Sequence, residues 1–192
     1  SSPRCWAVQS ADSAPMLVAL GARVRLVSAA GERELPIEAL YRDDGMEFLT
    51  KRPDEIVAEV VVPGNSDVAR LSTAFFKLRR RGSIDYGVLS VAVALRLEGG
   101  IVTAARIVLG SIASLPSSAD DAAAELVGKP LSAESIQSAA AKTRAAITPM
   151  DNTDLDLRWR KDVTAEYVRY ALRELRGDDM REIRMRTARQ AV

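Results

Sequence analysis

The 192-residue sequence contains no histidine. That excludes Ser-His-Asp and Cys-His nucleophilic machinery within the chain, together with any imidazole base or metal ligand. A single cysteine, Cys5, rules out an intrachain disulfide and fits a reducing, cytoplasmic setting. Aromatic residues make up only 5% of the chain, and the formal net charge is +1. No global field therefore draws the chain to nucleic acid or to an anionic membrane, and any basic feature has to be local. Every apolar run is broken by charge within a few residues, so none suits a membrane-spanning helix. Internal repeats, low-complexity tracts and a recognisable signal peptide are also lacking. The chain opens on SSPRCW rather than on methionine, which predicts an internal start.

What is present is a sizeable apolar fraction, 47%, enough to build a core. The chain reads in order as follows. Asp12 or Ser13 caps a short helix that carries Pro15 in its first turn and stops at Gly21. RVRLVS at 23–28 alternates as a strand, turns at 29–31 and returns over 32–36. EIVAEVVV at 55–62 is a strong strand ended by Pro63-Gly64. The polar, turn-rich stretch 63–70 divides the chain. Strands follow at 71–78, 88–97 and 102–111, with Gly99-Gly100 closing a hairpin, and 114–118 reads as a loop. Helices are expected at 118–127, from Ser132 to Pro149, and over 162–175, with a charged extension at 180–189. Three strands followed by three helices predict an α+β fold, an antiparallel sheet packed with a helical bundle.

One stretch stands apart, AFFKLRRRGSIDYGVL at 74–89. Lys77, Arg79, Arg80 and Arg81 crowd beside apolar residues with no acid among them, then Asp85 and Tyr86 follow a Gly-Ser break. Clustered cations beside a core need an anionic ligand, an acidic surface or solvent. A solvated strand edge is the plain alternative. A nucleic-acid role fits poorly, because the basic run is short and has no interleaved aromatics on an exposed sheet.

With these residues in view, the chain resembles the flavin-binding (medium) subunit of the molybdenum hydroxylases, the xanthine dehydrogenase and carbon monoxide dehydrogenase family. The matching pieces are SADSAPMLVALGARVRL at 10–26, RPDEIVAEVVVP at 52–63, AFFKLRRRGSIDYGVLSVAVAL at 74–95, ARIVLGSIA at 105–113 and DNTDLDLRWRK at 151–161. A narrower resemblance, to the flavin subunit of 4-hydroxybenzoyl-CoA reductase, rests on PRCWAVQSADSAP at 3–15 and YRDDGMEFLTKRPDE at 41–55. The resemblance implies three parts. Residues 1–64 are the end of an FAD-binding domain. Residues 71–176 are a flavoprotein C-terminal domain with a three-stranded antiparallel sheet and a three-helix bundle. Residues 177–192 are a charged helical extension.

It also implies a role for several residues. Lys77 corresponds to a lysine at the pyrimidine edge of the FAD isoalloxazine, with a strand-edge lysine as the alternative. Asp85 and Tyr86 lie beside the ring, or else are a turn aspartate and a core tyrosine. Asp12 bonds the cofactor or simply caps its helix. In the narrower subgroup an inserted loop carries cysteines for a four-iron, four-sulfur cluster. Cys5 stands where the last of them falls, though a ligand role needs three more cysteines than this chain has. Trp159 and Tyr167 read as helix-packing residues. The implied partners are a large subunit with the molybdenum cofactor and a small subunit with two-iron clusters. The glycine-rich loops that hold the flavin diphosphate in the family have no counterpart in 1–64. The rival expectation is a non-catalytic assembly module that keeps the C-terminal fold without flavin.

Overall fold

The alternation at 23–28 places Val24 and Leu26 on one side and arginines on the other, and the fold follows it. The computed structural model describes residues 6–64, 70–82, 84–151 and 155–189. Strand β1 (Arg23–Ser28) pairs antiparallel with β2 (Gly31–Pro36) on one edge and β3 (Ile56–Val61) on the other, in the order β2-β1-β3. Val24 and Leu26 are fully buried with Leu40 in a small core that Leu35, Tyr41 and Leu49 flank. On the opposite face Arg25 donates to Glu32 and Glu59 on the two neighbouring strands, at 2.7 and 2.6 Å, and Arg23 pairs with Glu34. Opposite charges facing across strands favour this register. A 3-10 turn (Ile37–Leu40) and a loop bridged between Tyr41 and Leu49 lead on to β3. Glu55 just before β3 is buried and accepts a two-pronged bond from Arg33 at 2.7 and 3.0 Å, plus the Arg52 N–H at 2.6 Å.

The second sheet has three long strands, β4 (Ser72–Leu78), β5 (Leu89–Glu98) and β6 (Ile101–Gly110), joined antiparallel in that order. Gly99 and Gly100 turn the hairpin with φ of +57° and +82°, the left-handed region that glycine enters without strain. The segment expected as a loop contributes a further two-residue strand, β7 (Ser117–Ser118), because the free edge of β6 accepts its backbone. β5 is apolar without alternation from Val91 to Leu95 because both its faces are covered there. On one face Phe76, Leu78, Val91, Val93, Leu95 and Leu109 meet helices α2 (Asp120–Leu126), α3 (Ala133–Ala146) and α4 (Leu157–Arg176). On the other, Ala92, Ala94 and Val108 pack under α1 (Ser13–Ala19) through Val18 and Ala19. This is the expected α+β architecture.

The helix ends follow local chemistry. Ser132 caps α3, and its hydroxyl accepts from the Ser135 N–H in a reciprocal capping box. α4 begins five residues before the expected start because the Asp156 carboxylate accepts from the Trp159 N–H at 2.7 Å, and it ends at Gly177 with φ of +98°. A final helix, α5 (Arg181–Arg189), lies along the edge of β4. Arg184 donates to the Phe75 carbonyl at 2.7 Å and sits 3.7 Å over the Phe76 ring. A covered edge cannot template pairing with another chain.

Candidate functional site

β4 delivers Lys77 to the mouth of a cavity. Alternation along the strand turns Phe76 and Leu78 into the core, which leaves Lys77 on the side that faces α1. Its stem is packed, with the side chain 17% exposed, and its Nζ is held by two acceptors at 2.8 Å. One is the Asp12 carboxylate and the other is the Asp85 backbone carbonyl. Asp12 occupies the N-cap position of α1, but its side chain makes no capping bond. The carboxylate serves Lys77 instead, so the simple cap expected from sequence is not what forms.

Asp85 folds the arginine turn onto itself. Its carboxylate accepts the Arg81 N–H at 3.2 Å, the Arg81 guanidinium at 3.4 Å and the Tyr86 N–H at 3.0 Å. Burial pushes the Asp85 carboxyl up, but Arg81 and the two N–H groups outweigh that and hold it below the usual aspartate range. Tyr86 is therefore pinned at its backbone while its ring projects, 79% exposed, and is not the core tyrosine of the alternative reading. Ile84 projects beside it.

These groups line one cavity of about 540 Å³, bounded by residues 10–13 on one side and by Lys77, Arg81, Ile84, Asp85 and Tyr86 on the other. All four residues nominated from sequence, Asp12, Lys77, Asp85 and Tyr86, meet there. Sequence reasoning missed Arg81 as the partner of Asp85, and Ile84 as part of the wall. The i,i+4 spacing of Arg81 and Asp85 was the available signal. Gly87 was also missed: a Cβ there would stand 3.0 Å from Ser111 Oγ and 3.6 Å from Lys77 Cε. Arg79 turns to the last helix instead, donating to the Ala188 carbonyl at 3.2 Å.

Cys5 lies outside the described residues. Among the described residues no group of three or more His, Cys, Asp or Glu side chains could hold a metal ion. Among them also, no helix is long and apolar enough to cross a membrane. Tyr167 packs against Phe76 and Tyr170 in an aromatic cluster under the bundle, as expected.

Comparison with known proteins supplies the family. Residues 74–175 match the family described as CO dehydrogenase flavoprotein C-terminal domain. Residues 5–65 match the FAD binding domain in molybdopterin dehydrogenase. The chain is 27% identical over 173 residues to the glyceraldehyde dehydrogenase medium chain of Sulfolobus acidocaldarius, covering 88% of this chain and 59% of that one. It is 25% identical over 161 residues to the carbon monoxide dehydrogenase medium chain of Hydrogenophaga pseudoflava, covering 84% and 54%. Among solved structures, reconstituted CO dehydrogenase from Oligotropha carboxidovorans superposes with a TM-score of 0.76 at 25% identity, over 86% of this chain and 56% of that one. The chain thus spans little more than half the length of these relatives. The family match at 74–175 covers more than half of the 192 residues, and on it the chain belongs to the CO dehydrogenase flavoprotein family of the molybdenum hydroxylases.

Proposed function

We propose that this chain forms the ring-side part of an FAD site in a molybdenum-containing oxidoreductase assembly. The observation that carries the reading is Lys77, a packed cation held between the Asp12 carboxylate and the Asp85 carbonyl at the rim of an open cavity. The donor set suits a flavin ring. It offers one ammonium, one guanidinium and one exposed phenol ring in a space within the usual range for cofactor sites, roughly 300–1,000 Å³. FAD, when bound, would supply the exchange of electrons between two-iron clusters on a small subunit and an external carrier. The residues of this chain bind, orient and tune. Lys77 favours negative charge on whatever edge faces its Nζ. Tyr86 offers a flat apolar face, and Asp85 keeps that ring and the Arg81 turn in place. Asp12 fixes the direction of the ammonium. A large subunit with the molybdenum cofactor would carry the substrate chemistry. The likeness to the flavin subunit of 4-hydroxybenzoyl-CoA reductase belongs to the same proposal. There Cys5 is one of four cluster ligands, and the other three come from outside these residues.

Affinity for FAD tests the site. In the flavin-loaded assembly, Lys77→Met and Asp12→Asn should each weaken FAD binding about tenfold, which corresponds to about 1.4 kcal/mol. Lys129→Met, at a surface ion pair with Glu125 on the far side of the bundle, should leave it unchanged. Equal affinities in all three variants would favour the assembly-module alternative, a chain that keeps the fold and docks without touching flavin.

A further inference from the structure

Among the described residues Arg160 is the largest fully buried side chain, 2% exposed, in the first turn of α4. Among the described residues its guanidinium donates to three backbone carbonyls from three separate segments: Met150, Val88 at 3.3 Å and Ser111 at 2.8 Å. Two of these segments run directly into the walls of the Lys77 cavity. Val88 follows Tyr86 and Gly87, and its own N–H bonds the Leu78 carbonyl next to Lys77 at 2.8 Å. Ser111 stands at the end of β6 with φ of +66°, a left-handed backbone that a serine adopts only where its surroundings impose it. Its N–H bonds the Gln9 carbonyl at 2.8 Å, and the Gln9 N–H bonds the Ala113 carbonyl at 3.0 Å. Three residues beyond Gln9 the chain reaches Asp12.

From this connectivity we infer that Arg160 is the positioning residue of the site, one planar fork that sets the Asp12 wall and the Tyr86 wall in fixed relation. It touches neither Lys77 nor the cavity. It acts through Ser111 and Val88, and at Gly87, where a Cβ would stand 3.0 Å from Ser111 Oγ, the lack of a side chain leaves room for the two limbs to run side by side. A guanidinium suits the task because its five donors lie in one rigid plane, so three carbonyls are held at fixed relative angles. An ammonium has no such plane. The inference rests on the flavin reading only for its functional consequence, because the coupling of the two walls is a property of the chain alone.

Two readouts separate these layers. The first is amide hydrogen exchange in the 192-residue chain without flavin, comparing Arg160→Lys and Arg160→Met with the core variant Leu126→Ala. Arg160→Met should speed exchange at least about tenfold at the Val88, Ser111 and Gln9 amides together, ahead of the β5–β6 ladder. Leu126→Ala should raise exchange without that local pattern. Should Arg160→Met not fold, Arg160→Lys is read in the same way, with the same amides leading. Exchange that changes on one limb only, or uniformly as in Leu126→Ala, overturns the inference. The second readout is the flavin midpoint potential in the loaded assembly. Arg160→Lys keeps the charge but loses the fork. It should therefore shift the potential downwards, in the direction expected when Lys77 is removed. A purely structural role predicts no shift with FAD still bound, and that result also overturns the inference. If Lys77→Met itself leaves the potential unchanged, the flavin reading fails, while the exchange data still decide the role of Arg160.

Discussion

Gly110 shows how strictly single positions govern the site. A Cβ there would stand 2.4 Å from Ser90 Oγ and 2.7 Å from Pro15 Cγ, so only glycine lets α1 sit down on the sheet. Gly110→Ala should cost about 1–3 kcal/mol by overpacking. That corresponds to a melting temperature lower by roughly 2–4 °C per kcal/mol for a chain of this size. An unchanged melting curve would mean that α1 is not seated as described. Asp12 marks a limit of sequence reading at this scale. Its place before a helix suggested a cap, yet its carboxylate is taken by Lys77, 65 residues away in the chain. Local patterns cannot show a partner at that distance. The stretch 74–89 stood out by its clustered cations, but roles for Lys77, Asp85 and Tyr86 within it came only through resemblance, since a cation on a strand and an Asp-Tyr pair in a turn name no ligand by themselves.

At the scale of elements, the capping box of α3 was readable from the Ser132–Ser135 spacing, because caps are local chemistry. Ser132→Ala should cost about 1 kcal/mol, measured by denaturant midpoint, and no loss would mean that the reciprocal bonds do not form in solution. The early start of α4 was not readable, since LRWRK at 157–161 alternates apolar and basic residues and shows no helical stripe of its own. β3 was legible as a strand, but its apolar residues on both sides of Glu59 gave no sign that neither face is covered. In the structure all six of its residues remain exposed, with Ile56 at 66%.

The β2-β1-β3 sheet also predicts a pH response. The Arg33 guanidinium, followed by the Arg52 N–H, holds the Glu55 carboxyl down at about 2 from an ordinary value of 4.5. The folded form therefore binds its proton less readily than the unfolded chain. Stability from this group is complete above the ordinary range and is lost as the pH falls from about 4.5 towards 2. Glu55→Gln should lower stability at neutral pH and flatten this part of the acid transition, read by circular dichroism against pH. An unaltered acid transition would remove Glu55 as its cause.

For the whole molecule, the organising feature is a sheet with two unlike covers. The three helices bury the large side chains, whereas α1 covers only small ones, Ala92, Ala94 and Val108. Residues 71–176 alone should accordingly unfold cooperatively, at a lower temperature than the full chain, because they retain the larger core. A broad, non-cooperative transition would count against 63–70 as the boundary. The 192-residue chain by itself should bind FAD more weakly than micromolar. On the proposed reading it would offer ring-side groups only, since its sequence has no glycine-rich loop for the diphosphate in 1–64, and each charge-assisted hydrogen bond to phosphate is worth on the order of 1.5–3 kcal/mol. The strand-then-helix order of the second half was legible in the sequence because strand and helix periods differ there. The cavity was not, since it joins residues 10–13 to residues 77–86, on either side of the 63–70 stretch.

Whether Lys77 faces the flavin is decided by redox titration of Lys77→Met in the flavin-loaded assembly. Removing a cation a few ångströms from the reduced ring deletes an attraction of ~1–4 kcal/mol, depending on the effective dielectric. Methionine preserves most of the aliphatic stem, so packing should change little. A lower midpoint potential with FAD still bound is expected. An unchanged potential with FAD still bound would contradict it and return Lys77 to the strand edge.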